Sequence, residues 1–251
     1  MNRISIIGIL LGLTAVFGGN LLEGGKIGSV VQGSAALIVF GGTLGATFLS
    51  FSIKDLKLAA RTVKDVFYVS GLLPEMNFII ADIVTLAGKA RRDGLLALDN
   101  EAGKINYLFF RRAVRLVVDG LDPKLLQGAL EQEIRTFEEE RYRAVKVFEA
   151  AGGFAPTIGI IGAVLGLIHV MENLSDPTML GSGIAIAFVA TIYGVASANL
   201  IFLPIAKKLA NNVEHEIFIR EMIIDGVLGI QSGQNPFYLR EQLSSFLFRE
   251  K

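Results

Sequence analysis

Apolar positions dominate four long uninterrupted runs. No Asp, Glu, Lys or Arg occurs in Ile4–Leu22, Ile27–Ile53, Ala150–Met171 or Pro177–Ala206. Each run supplies the roughly 20 apolar residues that a helix needs to cross the hydrocarbon core of a bilayer. Between the second and third runs the pattern changes to apolar stripes at helical spacing among charged residues. There Lys54–Ser70 predicts one helix. Pro74 to about Asp93 predicts a second, with Pro74 near its first turn, an apolar stripe at Ile79, Ile80, Ile83, Leu86 and Ala90, and Gly94 as the stop. Lys104–Asp119, closed by Gly120, predicts a third. Pro123 to about Ala151 predicts a fourth that runs straight into the third apolar run. Beyond the fourth run, Lys207 to about Leu228 continues as helix and Pro236–Phe248 forms another. No alternating strand pattern is present. The chain therefore reads as an all-α integral membrane protein: four transmembrane helices with a helical cytoplasmic domain between spans 2 and 3. Four segments follow: a first helix pair (1–53), a cytoplasmic domain (54–149), a second helix pair (150–206) and a cytoplasmic tail (207–251).

Composition agrees. A mean hydropathy of +0.53 over 251 residues is far above that of an ordinary soluble domain. With 24 Lys and Arg against 24 Asp and Glu, the net charge is zero and gives no reason to expect nucleic acid. The absence of Cys excludes thiol catalysis and thiolate metal sites. Only two His, His169 and His215, are present, far apart, so no metal site of usual spacing and no cofactor is expected. No nucleophile–base set or phosphate-binding loop marks an enzyme. Arg3 before an apolar run resembles a signal peptide, but Ala15-Val16-Phe17 is a poor cleavage site, and the run reads as an uncleaved span. Of the 24 Lys and Arg, all but Lys26 fall in Arg3, the segment from 54 to 149 and the tail from 207. The positive-inside rule then places both termini and the large middle segment in the cytoplasm.

Small residues sit at helical spacing in all four spans. Gly8, Gly12, Ala15 and Gly19 in the first, and Gly41, Gly42 and Gly45 in the second, predict close helix packing, because lipid provides no hydrophobic drive for helix association. Gly159, Ala163 and Gly166 mark a narrow face on the third. Ala187, Thr191, Gly194 and Ala198 mark one on the fourth, with Thr191 its single hydroxyl. That hydroxyl either borders an ion-conducting crevice or bonds back to the Ala187 carbonyl. Pro156 and Pro204 either end their helices or act as hinges between membrane and cytoplasm.

Two motifs bring these features together. Ala155-Pro156-Thr157-Ile158-Gly159-Ile160-Ile161-Gly162-Ala163-Val164-Leu165-Gly166-Leu167, followed by Ala187-Phe188-Val189-Ala190-Thr191-Ile192-Tyr193-Gly194, resembles the flagellar motor stator A-subunit family (MotA and PomA). So does Ala90-Arg91-Arg92-Asp93-Gly94-Leu95-Leu96-Ala97-Leu98-Asp99. The resemblance covers essentially the whole chain. It implies an A subunit in the bacterial inner membrane, a homo-oligomer of five copies around two single-span B subunits. Each B subunit would carry an essential membrane Asp, which explains why no carboxylate lies in the four spans here. It further implies that ion flow past that Asp turns the A ring against the rotor protein FliG. By position, Arg91 matches the torque-interface arginine, and Asp99 matches a position that is usually Glu, with the same charge on a shorter stem. Arg92 and Glu101 are neighbouring charges that add to this surface. Pro156 and Pro204 match two functional prolines, and Thr191 matches the hydroxyl near the ion path.

The transported ion follows from one departure. Sodium-driven members resemble one another in carrying Thr at the position of Ala163. A partly dehydrated Na⁺ needs several oxygen ligands, whereas a proton needs a titrating group and a water chain. Ala163 removes one hydroxyl, so proton coupling is expected, with Na⁺ as the alternative. Two other classes compete: an energiser subunit similar to ExbB or TolQ driving an envelope partner, whose relatives tend to have three spans, and a non-conducting membrane scaffold whose small-residue faces only pack.

Overall fold

The computed structural model describes residues 3–67, 76–175 and 177–249. Every regular element among them is helical. In chain order these are α1 (Arg3–Leu22), α2 (Gly33–Ser50), α3 (Ile53–Phe67), α4 (Met76–Asp93), the single turn α5 (Asp99–Ala102), α6 (Leu108–Val118), α7 (Pro123–Glu172), α8 (Pro177–Ser197), α9 (Leu203–Gln231) and α10 (Pro236–Arg249). Pro74, expected to open α4, lies outside the described residues, as does the end of the helix expected to reach Ser70. The third helix of the middle segment starts at Leu108 rather than Lys104, because Gly103 and the two residues after it turn the chain first. Among the described residues, four helices are long and apolar enough to cross a membrane. The chain divides into two compact units, Met1–Val69 with Arg141–Asn211, and Ser70–Glu140 with Asn212–Lys251.

The first unit holds the apolar runs. Most of its large side chains are exposed, including Leu11, Phe48, Ile160, Val164 and Phe188. An apolar surface of this extent is stable in hydrocarbon and a liability in water. The second span is shorter than its charge-free run. Ile27–Val30 forms a 3₁₀ turn, Val31 and Gln32 are extended, and the helix begins only at Gly33. Gly28 and the β-branched Ile27, Val30 and Val31 are poor helix formers, and a side chain from α8 satisfies the backbone they leave open. The Tyr193 hydroxyl donates to the Val30 carbonyl at 2.7 Å and accepts from the Gln32 N–H at 3.3 Å. Its ring stacks on Phe40, centroids 5.8 Å apart. Tyr193→Phe keeps the stacking and orphans both backbone groups. It is expected to cost about 1–2 kcal/mol and to speed hydrogen exchange at the Gln32 amide in the purified complex; unchanged exchange there would refute the role.

The glycine face expected on α1 packs at one point only. A Cβ on Gly12 would lie 3.1 Å from the Leu200 side chain, whereas Gly8 and Gly19 have nothing within 4 Å. In α2, Gly42 packs on Ile158, while Gly45 meets nothing and Gly41 only a side chain of its own helix. The same helix buries two hydroxyls that the small-residue pattern did not single out, Thr43 and Thr47. Thr47 donates to the Thr43 carbonyl at 2.7 Å.

The second unit is built around one apolar core. The α4 stripe of Ile79, Ile80, Ile83 and Leu86 meets Phe109, Phe110 and Val114 of α6, Leu126 and Leu130 of α7, Ile219, Met222 and Ile223 of α9, and Leu239 and Leu243 of α10. Close approach needs Gly226, where a Cβ would fall 2.6 Å from the Ile83 side chain. At its edge Arg220 lies between two aromatic rings, 3.8 Å from the Phe137 centroid and 5.0 Å from that of Phe109. It donates from Nη2 to Glu216 Oε1 at 2.6 Å.

Candidate functional site

Two groups of residues carry the expected chemistry, one in each unit. In the first unit, α7 and α8 cross on a seam that is almost all backbone. A Cβ on Gly194 would lie 2.5 Å from the Ala155 carbonyl oxygen, 3.1 Å from Gly159 Cα and 3.2 Å from Pro156 Cα. One on Gly166 would lie 2.7 Å from the Ala187 nitrogen and 2.8 Å from the Gly183 carbonyl oxygen. One on Gly162 would lie 2.7 Å from the Ala190 Cβ. The seam therefore runs through Ala155, Gly159, Gly162 and Gly166 on α7 and through Gly183, Ala187, Ala190 and Gly194 on α8.

Ala163 and Thr191, read as members of these faces, each stand one position off the seam. Ala163 is half-buried and Thr191 exposed. At 3.6 residues per turn a contact line steps by three or four. With small residues at both 162 and 163, and at both 190 and 191, either register fitted the pattern. Gly162 wins because it alone admits the Ala190 methyl. Thr191 Oγ1 bonds back to the Ala187 carbonyl at 3.2 Å, so its hydroxyl is at the chain's surface with one partner made.

Neither proline ends a helix. Pro156 lies inside the unbroken α7, and its Cα borders the seam at Gly194. Pro204 lies just beyond a π-helical turn, Ala198–Phe202, that joins α8 to α9. A proline at 204 has no N–H for the Leu200 carbonyl and its ring crowds that oxygen. Widening the preceding turn relieves the clash and leaves the helix continuous.

The second group stands where α4 stops. Gly94 takes φ +82°, open to glycine at no steric cost, and its N–H closes on the Ala90 carbonyl at 2.9 Å. A 3₁₀ turn at Leu95–Leu98 follows, then α5. Arg91, Arg92 and Asp99 are exposed. Glu101 is not free like them. Its carboxylate takes Lys89 Nζ at 2.7 Å and Lys104 Nζ at 3.0 Å, and these two ammonium groups hold its pKa below the usual carboxylate range. The Lys89 bond joins the last turns of α4 to α5. Lys89 escaped the sequence reading because nothing at a separation of twelve residues signals a pair; the chain reversal at Gly94 creates it.

Comparison with known proteins bears on the family and the fold. The model described as "Motility protein A N-terminal" matches residues 6–94, and that of the "MotA/TolQ/ExbB proton channel family" matches residues 101–222. The chain is 38% identical to the uncharacterised protein YtxD of Bacillus subtilis (strain 168), over 98% of this chain and 90% of that one. It is 35% identical to the chemotaxis protein PomA of Vibrio alginolyticus, over 98% and 96%. Among solved structures, C. jejuni MotAB superposes with a TM-score of 0.92 at 32% identity, covering 98% of this chain and 96% of that one. The fold with its four membrane-crossing helices is thus that of an inner-membrane channel component rather than an enzyme, and the chain belongs to the MotA family of flagellar motor stator subunits.

Proposed function

We propose that this subunit surrounds a MotB-like B subunit as a homo-oligomer, five copies by analogy with the family, and passes protons. The observation that carries the reading is that none of the four charge-free runs contains a titratable carboxylate. The acid that takes up and releases the ion must then come from the B subunit's single span, as a membrane Asp. Solved structures of relatives are of MotAB complexes, which supports a B partner here. Thr191, exposed beside the seam, and Ala163, one position off it on α7, are proposed to border the path. A single hydroxyl suits a water chain better than a dehydrated Na⁺. Pro156 and Pro204 are proposed as the points where the second helix pair flexes. Both termini and the middle segment lie in the cytoplasm, following the Lys and Arg distribution.

Arg91, Arg92 and Asp99 are proposed to push the rotor protein FliG, with Glu101 holding the turn in place rather than touching the rotor. Contacts between exposed charges are individually weak and salt-sensitive, which suits a surface that binds and releases on every step. The test is motility of a host lacking its own stator genes, supplied with this chain and its B partner. Swimming is expected to persist without sodium and to stop with a proton uncoupler; the opposite result refutes proton coupling. Arg91→Glu and Asp99→Lys are each expected to abolish or strongly reduce torque and to be rescued by the opposite reversal on the rotor. Full motility of both variants would refute the rotor contact.

A further inference from the structure

We propose that Leu96 is the apolar anchor of the rotor contact, a docking residue that the charged pattern around it conceals. The proposal rests on the reading of Arg91 and Asp99 as the rotor surface. Leu96 is 78% exposed, while Leu98, two positions on in the same turn, is 0% exposed. The geometry of the 3₁₀ turn explains the difference. At three residues per turn, side chains at i and i+3 stand in line. Leu95 and Leu98 form the inward line and pack on the core. Leu96 and Asp99 form the outward line, both exposed.

The turn holds Leu96 there by several restraints. Gly94 closes on Ala90 at 2.9 Å, and Ala97 N–H donates to the Gly94 carbonyl at 3.2 Å. Leu98 plugs the core behind it, and the Lys89–Glu101 pair at 2.7 Å clamps the ends. An isolated exposed leucine is ordinary on a protein surface, and Leu108 and Leu125 are such cases. Leu96 differs in standing on one line with Asp99, just beyond the helix end that carries Arg91 and Arg92, on a turn too restrained to fold it away.

Chemically, exposed charges steer an encounter but hold weakly and are screened. A leucine seated in a notch is not screened as a charge is. The matching partner surface is a face of the rotor protein with an apolar notch, carboxylates toward Arg91 and Arg92, and a cation toward Asp99.

The experiment uses the full chain with its B partner in the stator-deleted host, together with binding of the purified complex to the purified rotor protein at low and high salt. Leu96→Ser and Leu96→Gln are expected to accumulate normally, to weaken rotor binding about tenfold by the same factor at both salt concentrations, and to reduce torque. Leu96→Met, similar in volume and apolar, is expected to behave as wild type, and so is Leu108→Ser. Arg91→Glu, by contrast, should change the salt dependence itself. Wild-type torque in both polar variants alongside a defective Arg91→Glu overturns the Leu96 proposal and leaves the rotor reading standing. A Leu96→Met as impaired as Leu96→Ser also overturns it, since the defect would then lie in the shape of the turn. Wild-type torque in Arg91→Glu and Asp99→Lys removes the rotor reading and the anchor with it.

Discussion

Replacing Gly194 by alanine is expected to disable the subunit more completely than any single charge change in the spans' vicinity. The new methyl would arrive 2.5 Å from the Ala155 carbonyl oxygen and close to two Cα atoms. None of these is the end of a flexible side chain, so the helices themselves must separate. Overpacking of this kind costs typically 1–3 kcal/mol, and contact with backbone on the opposing helix puts Gly194→Ala near the top of that range, at about 3 kcal/mol. Separation also costs the dispersion contacts along the seam, which in lipid are the main force holding helices together. Gly166→Ala should behave similarly, facing the Ala187 nitrogen and the Gly183 carbonyl. Gly128→Ala, with nothing within 4 Å, is the control and should be neutral or slightly stabilising through helix propensity. Thermal unfolding of the purified complex and swimming in the complemented host both read the outcome. A Gly194→Ala complex that melts and swims with wild type would mean that α7 and α8 do not cross on this seam.

The second large effect is expected at Arg220. Its side chain is 11% exposed, and that of its partner Glu216 is 22% exposed. Arg220→Ala removes the guanidinium plane from between Phe109 and Phe137 and leaves Glu216 partly buried without its cation. Breaking a buried pair by deleting one member costs about 3–5 kcal/mol, and an aromatic sandwich adds up to ~2 kcal/mol when desolvated. Residual water access to both side chains brings the sum to about 3 kcal/mol. Arg220→Lys keeps the charge and loses the stacking plane, so it should fall between alanine and wild type. Faster hydrogen exchange in α6 and in residues 212–231 is the direct readout; exchange unchanged in Arg220→Ala would show that the sandwich bears no load. The same corner sets an alkaline limit. Burial pushes the nearby Tyr107 from 10.0 up to about 12, partly opposed by the Arg220 charge. Its folded-state pKa is raised, so its contribution to stability is complete below pH 10 and lost as pH rises from 10 toward 12. Tyr107→Phe should flatten that part of the stability profile.

Much of this was legible in the chain. Four charge-free runs announced four spans because the bilayer admits no unpaired charge. The α4 stripe and its glycine stop were readable from local rules, and so was the continuity of α7 through the third span. The family motifs singled out Arg91, Asp99, Pro156, Pro204, Ala163 and Thr191 as candidates. The start of the second span was not readable, because it depends on a tyrosine more than 160 residues away. The register of the α7–α8 seam was not readable either, because Gly162 and Ala163 both fit a helical stripe and only the Ala190 methyl chooses between them. Glu101 looked like a free charge until the turn at Gly94 brought Lys89 against it.

Sequence alone determined the number of spans, the helical class, the stops at Gly94 and Gly120, and the lack of a titrating carboxylate in the four charge-free runs. These follow from properties a residue carries wherever it sits: its hydration energy, its allowed φ, its ability to titrate. Folding in three dimensions settled which small residues touch, which charges are already spent on each other, and which leucine of Leu95, Leu96 and Leu98 faces outward. Those outcomes depend on distances between parts of the chain remote in sequence, and on a 3₁₀ turn that sends alike side chains in opposite directions.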